Sequence, residues 1–180
     1  MKQLIFVFLL SVVFFISCNK SSNPTSSNTS NSGGTVPTTV NTMDVTTDGS
    51  SHTGWAAQGS RSSSNGITVV SVTAFDLSGK SLTFTLTNIP TTGTYDVGIL
   101  GYLSSTFRGV TMTYTTKDAS GSILVYSTPP ADTTSVGKIN ISEITATSVK
   151  ATFNATLSLQ KGSGPSTTAI TNGGVNATIK

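Results

Sequence analysis

SVKATFNATLSLQ, residues Ser148–Gln160, alternates apolar and polar side chains along its whole length. Val149, Ala151, Phe153, Ala155, Leu157 and Leu159 form one set, and Ser148, Lys150, Thr152, Asn154, Thr156, Ser158 and Gln160 fall between them. Successive side chains of a strand point to opposite faces, so this period of two is a strand with one buried and one wet face. A slip of one residue would bury Lys150 and Asn154, which fixes the register.

Shorter stretches on both sides repeat the pattern. Met43 and Val45, Ile67–Phe75, Leu82–Leu86, Thr94–Val97, Val110 with Met112 and Tyr114, and Ile123–Tyr126 precede it, along with Ile139, Ile141 and Ile144. Val175, Ala177 and Ile179 follow. Turn signals separate them at Asp48-Gly49, Ser78-Gly79, Pro90 to Gly93, Asp118–Gly121, Pro129-Pro130 and Lys161–Thr168. Trp55-Ala56-Ala57 reads as a short strand, with Ser60–Gly66 as a loop after it. No stretch beyond Cys18 places apolar residues at helical spacing over three turns. The expectation for residues 42–180 is one all-β domain, an antiparallel β-sandwich or barrel-like domain of about eight to ten strands. One face of each sheet is buried and the other is covered by Thr and Ser.

The front of the chain reads differently. In Met1–Cys18, Lys2 precedes an apolar run, Leu4–Ile16, broken only by Ser11. A membrane span needs roughly 20 apolar residues; this run fits the roughly 7–15 of a signal-peptide core. It closes on Phe15-Ile16-Ser17-Cys18, which resembles the lipobox of bacterial lipoproteins. In that class the cysteine thiol receives a diacylglycerol, the chain is cut just before it, and the new amine is acylated. The resemblance implies that residues 1–17 are a signal peptide that is removed and that Cys18 is the lipidation site. The other reading is an ordinary secretory signal with an incidental cysteine, but no A-x-A-like cleavage site follows the apolar run. One acyl chain holds a protein to a membrane only marginally, at about 0.8 kcal/mol per buried CH₂, so two or three chains on one residue make a lasting anchor. Residues 18–41 continue as a Ser/Asn/Thr-rich tether with almost nothing apolar to bury, and the expectation is disorder. As a flexible coil Asn19–Asn41 spans about 25 Å root-mean-square, or up to ~75 Å stretched.

Charged residues make up only 9% of the chain, against roughly 25% in ordinary soluble domains, so hydroxyls and amides must wet the surface. The formal charge is +3, yet Arg61, Lys80, Arg108, Lys117, Lys138, Lys150 and Lys161 are scattered singly. That excludes a nucleic-acid surface. Cys18 is the sole cysteine, so a core and not disulfides must hold the domain.

The inventory for catalysis is thin. His52 is the one histidine, with Asp48 before it, in what reads as a polar turn; no G-x-S-x-G elbow accompanies it. Glu143 is the sole glutamate, and the aspartates fall at turns, where capping explains them. One histidine without a spare cysteine cannot make a usual zinc or iron set, and no glycine run has phosphate-cradling spacing. The expectation is no cofactor, no metal and no enzyme. Aromatics are the remaining route to a ligand, because sugar rings stack on exposed aromatic faces. Trp55 and Tyr102 are the candidate contacts, against the alternative that they fill the core. Ile99–Leu103 is the most apolar stretch after Cys18 and reads as a buried strand.

The order of these pieces resembles a family of uncharacterised Bacteroidetes lipoproteins whose domain has no assigned function. Asp48-Gly49 then Trp55, Leu82–Leu86, Gly93-Thr94-Tyr95, Gly137–Ile144 with Ser148–Leu157, and Gly173–Ala177 carry the likeness. It implies an all-β domain lipid-anchored at the bacterial outer membrane. Surface-bound members of that phylum often carry acidic residues after the cysteine; Asn19 and Lys20 stand there, which leaves both the periplasmic and the cell-surface face open. The functional expectation is a non-enzymatic domain that binds a glycan or an envelope protein or serves as an accessory. A carbohydrate-binding module for glycan capture is the alternative.

Overall fold

The computed structural model describes residues 34–180 except 99, 104–105 and 130–133, with the side chains of 100–107 also left aside. Cys18 lies outside these residues. Among the described residues there are eleven strands and no helix: β1 (Thr42–Thr47), β2 (Ser50–Ser64), β3 (Ile67–Phe75), β4 (Ser81–Thr87), β5 (Gly93–Val97), β6 (Leu100–Leu103), β7 (Thr106–Lys117), β8 (Ile123–Ser127), β9 (Gly137–Ile144), β10 (Ser148–Lys161) and β11 (Thr167–Thr178). The domain is all-β, as its alternation requires.

The pairing closes on itself. β1 through β4 run as an antiparallel meander to β7, β7 pairs β8, β8 pairs β10, β10 pairs β11, and β11 returns to β1. Beside β8, in the remaining space between β7 and β10, β9 lies against β10 and β5 against β9; β5 reaches β7 in parallel through Val97 and Val110. A closed circuit leaves few free strand edges. β6 pairs the first residues of β7, from Thr106 to Gly109.

β10 behaves as its sequence demands. Val149, Ala151, Phe153, Ala155 and Leu157 are all buried, and their neighbours are half-buried or exposed. Phe153 meets Phe84 of β4 across the interior, ring centroids 5.7 Å apart, and Met43, Val72, Leu82, Met112, Ile139 and Ile170 fill the space around them. Opposite Phe153 in the register stands Gly173; the phenyl ring occupies the place where a side chain on Gly173 would begin.

β2 departs from expectation. Ser60–Gly66 is not a loop: β2 continues to Ser64, and Asn65-Gly66 alone makes the turn into β3. Both residues have positive φ, 51° and 77°, as a two-residue hairpin with the right twist needs. Asp48-Gly49 makes the same turn between β1 and β2, at φ 47° and 80°. The last strand likewise begins earlier than Val175, at Thr167.

Two longer turns share one design. Asp76-Leu77-Ser78-Gly79-Lys80 joins β3 to β4, and Asp118-Ala119-Ser120-Gly121-Ser122 joins β7 to β8. Each aspartate accepts from the N–H groups two and four residues on and from the intervening serine hydroxyl. Each glycine has φ 85°, a conformation that costs Gly little.

Residues 34–37, expected in the tether, lie along the outer side of β11. Pro37 is buried, its carbonyl accepts from Asn176 Nδ2 at 3.1 Å, and the Thr35 carbonyl sits where a side chain on Gly174 would go. This strap explains why Gly174, Val175, Asn176 and Ala177 are buried in succession. The chain then turns at Asn41 (φ 62°), whose Oδ1 accepts from the N–H and hydroxyl of Thr178.

Candidate functional site

A cleft of about 440 Å³ opens between the start of β2 and the β3–β4 turn, walled by His52, Thr53, Gly54, Trp55 and Ala56 on one side and Phe75 to Ser78 on the other. A bulge builds its first wall. The β1–β2 register slips between Met43↔Trp55 and Val45↔His52, Gly54 takes φ 69°, and its N–H donates to Asp44 Oδ1 at 2.7 Å. An extra residue of this kind bends a strand and re-aims its side chains. Here it brings the His52 imidazole against the Trp55 indole, centroids 5.3 Å apart and planes at 43°.

Trp55 is 4% exposed. Its indole belongs to the core, so it offers no open face for a sugar ring to stack on. Phe75, at 45% exposed, and Leu77, at 108%, are the apolar groups that solvent meets.

His52 lies within β2, not in a turn. Its Nε2 is 3.1 Å from Thr47 Oγ1, which also accepts from the Tyr114 hydroxyl at 3.5 Å. Burial, and then the charge of Lys80, hold the imidazole below its ordinary pKa of 6.5, against a smaller upward pull from Asp76. This is a base beside a hydroxyl, but Thr47 is only 5% exposed. Asp48 does not orient the ring either: Oδ1 accepts from Ala169 N–H at 2.8 Å and Oδ2 from the Thr168 hydroxyl at 2.7 Å. A triad needs the acid on the base and the hydroxyl open to substrate; neither condition is met.

The carboxylate on the other wall is similarly occupied. Burial pushes Asp76 up, but the Ser78 hydroxyl and the backbone N–H groups of Lys80 and Ser78 outweigh it and lower its pKa. Glu143 is drawn down first by Lys150, at 2.8 Å, then by Ser148. Asp96 is drawn down first by Lys138. Among the described residues no three His, Cys, Asp or Glu side chains gather where a metal ion could sit.

The chain matches no protein-family model, no curated protein and no solved structure. The site is therefore judged on geometry alone. Of the residues read from sequence, Trp55 lines the cleft from the core side. Tyr102 lies on β6 opposite Phe107, at the start of β7, while the cleft lies toward the end that β7 reaches at Lys117. The fold does not bring the two together, and the Tyr102 side chain is outside the described set. Phe75 and Leu77 were missed by sequence reasoning. The signal available was the twin Asp-x-Ser-Gly turn, in which one x is a large apolar residue and the other is not.

Proposed function

We propose that this chain is a non-enzymatic, lipid-anchored domain of the bacterial envelope, held through Cys18 at the outer membrane and serving by contact, not by chemistry. The observation that carries this reading is the occupied state of Asp76 on the cleft wall and of Asp48 in the β1–β2 turn. Asp48 and Asp76 spend their oxygens on backbone and hydroxyl partners, while the cleft's exposed groups are the apolar Phe75 and Leu77. Carboxylates used in this way hold turns; a general acid or base must instead reach a substrate proton. The resemblance of Phe15–Cys18 to a lipobox supports the anchor, and the likeness to uncharacterised Bacteroidetes lipoproteins supports the location.

Mass spectrometry of the N-terminal peptide from the host membrane tests the anchor. The expected peptide begins at Cys18 and carries acyl chains; one with Cys18 unmodified overturns the reading. Glycan capture is the second reading, favoured by the half-exposed Phe75 ring beside the cleft and weakened by the burial of Trp55. A glycan array probed with the full chain is expected to stay blank, and a hit abolished by Phe75→Ala would promote this alternative.

A further inference from the structure

Asp48-Gly49, Asn65-Gly66 and Asn172-Gly173 each place an acid or amide side chain just before a glycine. Such pairs carry a reaction of their own. The glycine nitrogen gives up its proton to a solvent base and attacks the side-chain Cγ. A cyclic imide forms, and ammonia leaves from asparagine or water from aspartic acid. Water then opens the imide at one of its two carbonyls. One opening gives aspartyl; the other gives isoaspartyl, in which the backbone runs through Cβ. Glycine favours the attack because it has no Cβ to stand in the way.

The three pairs share a backbone angle and differ in what holds them. Their first residues have φ 47°, 51° and 49°. The Asp48 carboxylate is tied by Ala169 N–H at 2.8 Å and the Thr168 hydroxyl at 2.7 Å, so its Cγ cannot swing onto Gly49. Asn172 is exposed, but the glycine after it is buried and pairs with Phe153, whose ring lies against it. Gly34 of the strap abuts the Asn172 carbonyl, and Thr171 and Gly174 pair with β1. That peptide unit is locked. Asn65 and Gly66 are both exposed. Among the described residues no hydrogen bond ties down the Asn65 amide, and nothing stands within 4 Å of where a Gly66 side chain would begin. The rungs beneath, Ser64↔Ile67 and Ser63↔Thr68, belong to a strand end of β2 that is exposed on both faces. The attack needs rotation about the bond from Asn65 Cα to its carbonyl, and a hairpin tip of this kind opens at little cost in free energy.

We propose that Asn65-Gly66 is a self-modification site and that its isoaspartyl product releases the end of the β2–β3 hairpin. The turn has two residues, and the register of both strands depends on that count. Isoaspartyl puts one more carbon into the backbone of the turn. Aspartyl does not, and Asp48-Gly49 makes the same turn with an aspartate in place. Once the turn is lost, Ser60–Ser64 has no buried side chain to hold it, while the core around Phe153 is untouched. The site is a clock for the age of the molecule, and it runs with or without an anchor at Cys18.

The test ages the full chain in mildly alkaline buffer and maps it by mass spectrometry, with an isoaspartyl methyltransferase to tell isoaspartyl from aspartyl. In the folded chain Asn65 is expected to convert more than about tenfold faster than Asn172, because a fraying tip opens far more readily than an inner strand. In urea the two rates should converge. Hydrogen exchange of the aged chain is expected to quicken across Arg61–Val70 and stay slow in β10 and β11. Asn65→Gly tolerates the positive φ and has no amide to react, so after the same ageing it should keep the protection of fresh protein. Equal rates at Asn65 and Asn172 in the folded chain overturn the assignment, as does a folded chain that leaves Asn65 intact while urea allows its conversion. Isoaspartyl at position 65 with unchanged exchange overturns the release of the hairpin.

Discussion

β2 and β10 are both long antiparallel strands, yet different forces hold them. β10 is specified by packing: it has β11 along one edge, β9 and β8 along the other, and its apolar face is buried from Val149 to Leu157. β2 is specified by its turns. Ser60–Ser64 is exposed on both faces, paired only with β3 from Ile67 to Ser71, and its ends are set by Asp48-Gly49 and Asn65-Gly66. The contrast teaches that one fold uses two independent ways to fix register. Each should fail differently.

The packing half breaks hardest. Phe153→Ala removes a buried ring that meets Phe84 and is expected to cost about 3–5 kcal/mol, read as a lower denaturant midpoint. Gly173→Ala comes next, at about 1–3 kcal/mol, because its methyl group would overlap the Phe153 ring. Adding Phe153→Leu should recover part of that loss. Strictly additive costs would show that the pair is not coupled.

This difference also decides what could be read from the chain. β10 was legible because burying one face leaves a period-two trace in residue type. The last five residues of β2 bury nothing, so Ser60-Arg61-Ser62-Ser63-Ser64 carries no such trace and resembles a loop. Its only mark is the Asn65-Gly66 pair, a statement about φ and not about hydrophobicity. The cleft was half legible. Trp55 is conspicuous by type, but its burial depends on the Gly54 bulge and on Met43 opposite, which no local pattern announces. Phe75 and Leu77 read as the end of a strand and the start of a turn. Only the fold shows that Leu77 stays fully exposed and Phe75 half-exposed. The strap of residues 34–37 was illegible because it buries backbone and Pro37 in place of a run of apolar side chains.

The turn-held half breaks gently. Gly66→Ala puts a Cβ on a residue at φ 77° with open space around it, so strain is the whole effect, about 1 kcal/mol. The damage should stay local: hydrogen exchange is expected to quicken in Arg61–Val70 while β10 and β11 keep their protection. Quickening across the whole domain would mean that the hairpin and the barrel are one cooperative unit.

The smallest effect lies at the junction of the two halves, in His52. Its folded pKa is held below 6.5 by burial and by Lys80. Just below pH 6.5 the unfolded chain therefore binds more protons than the folded one, and stability must rise with pH through that window. The contribution is complete above 6.5 and is lost as pH falls through the folded value. The lowered carboxylates Asp76, Asp96, Asp118 and Glu143 have the same sign, but their unfolded values are 3.8 and 4.5, so their losses come at lower pH. Unfolding midpoints measured from pH 7.5 to 5 should decline in the native chain more than in His52→Gln. Parallel profiles would place the imidazole in free solvent and remove burial as the source of its shift. The Glu143–Lys150 pair beside β10 is a poor rival for this signal, because its side chains are 36% and 37% exposed and such surface pairs contribute little.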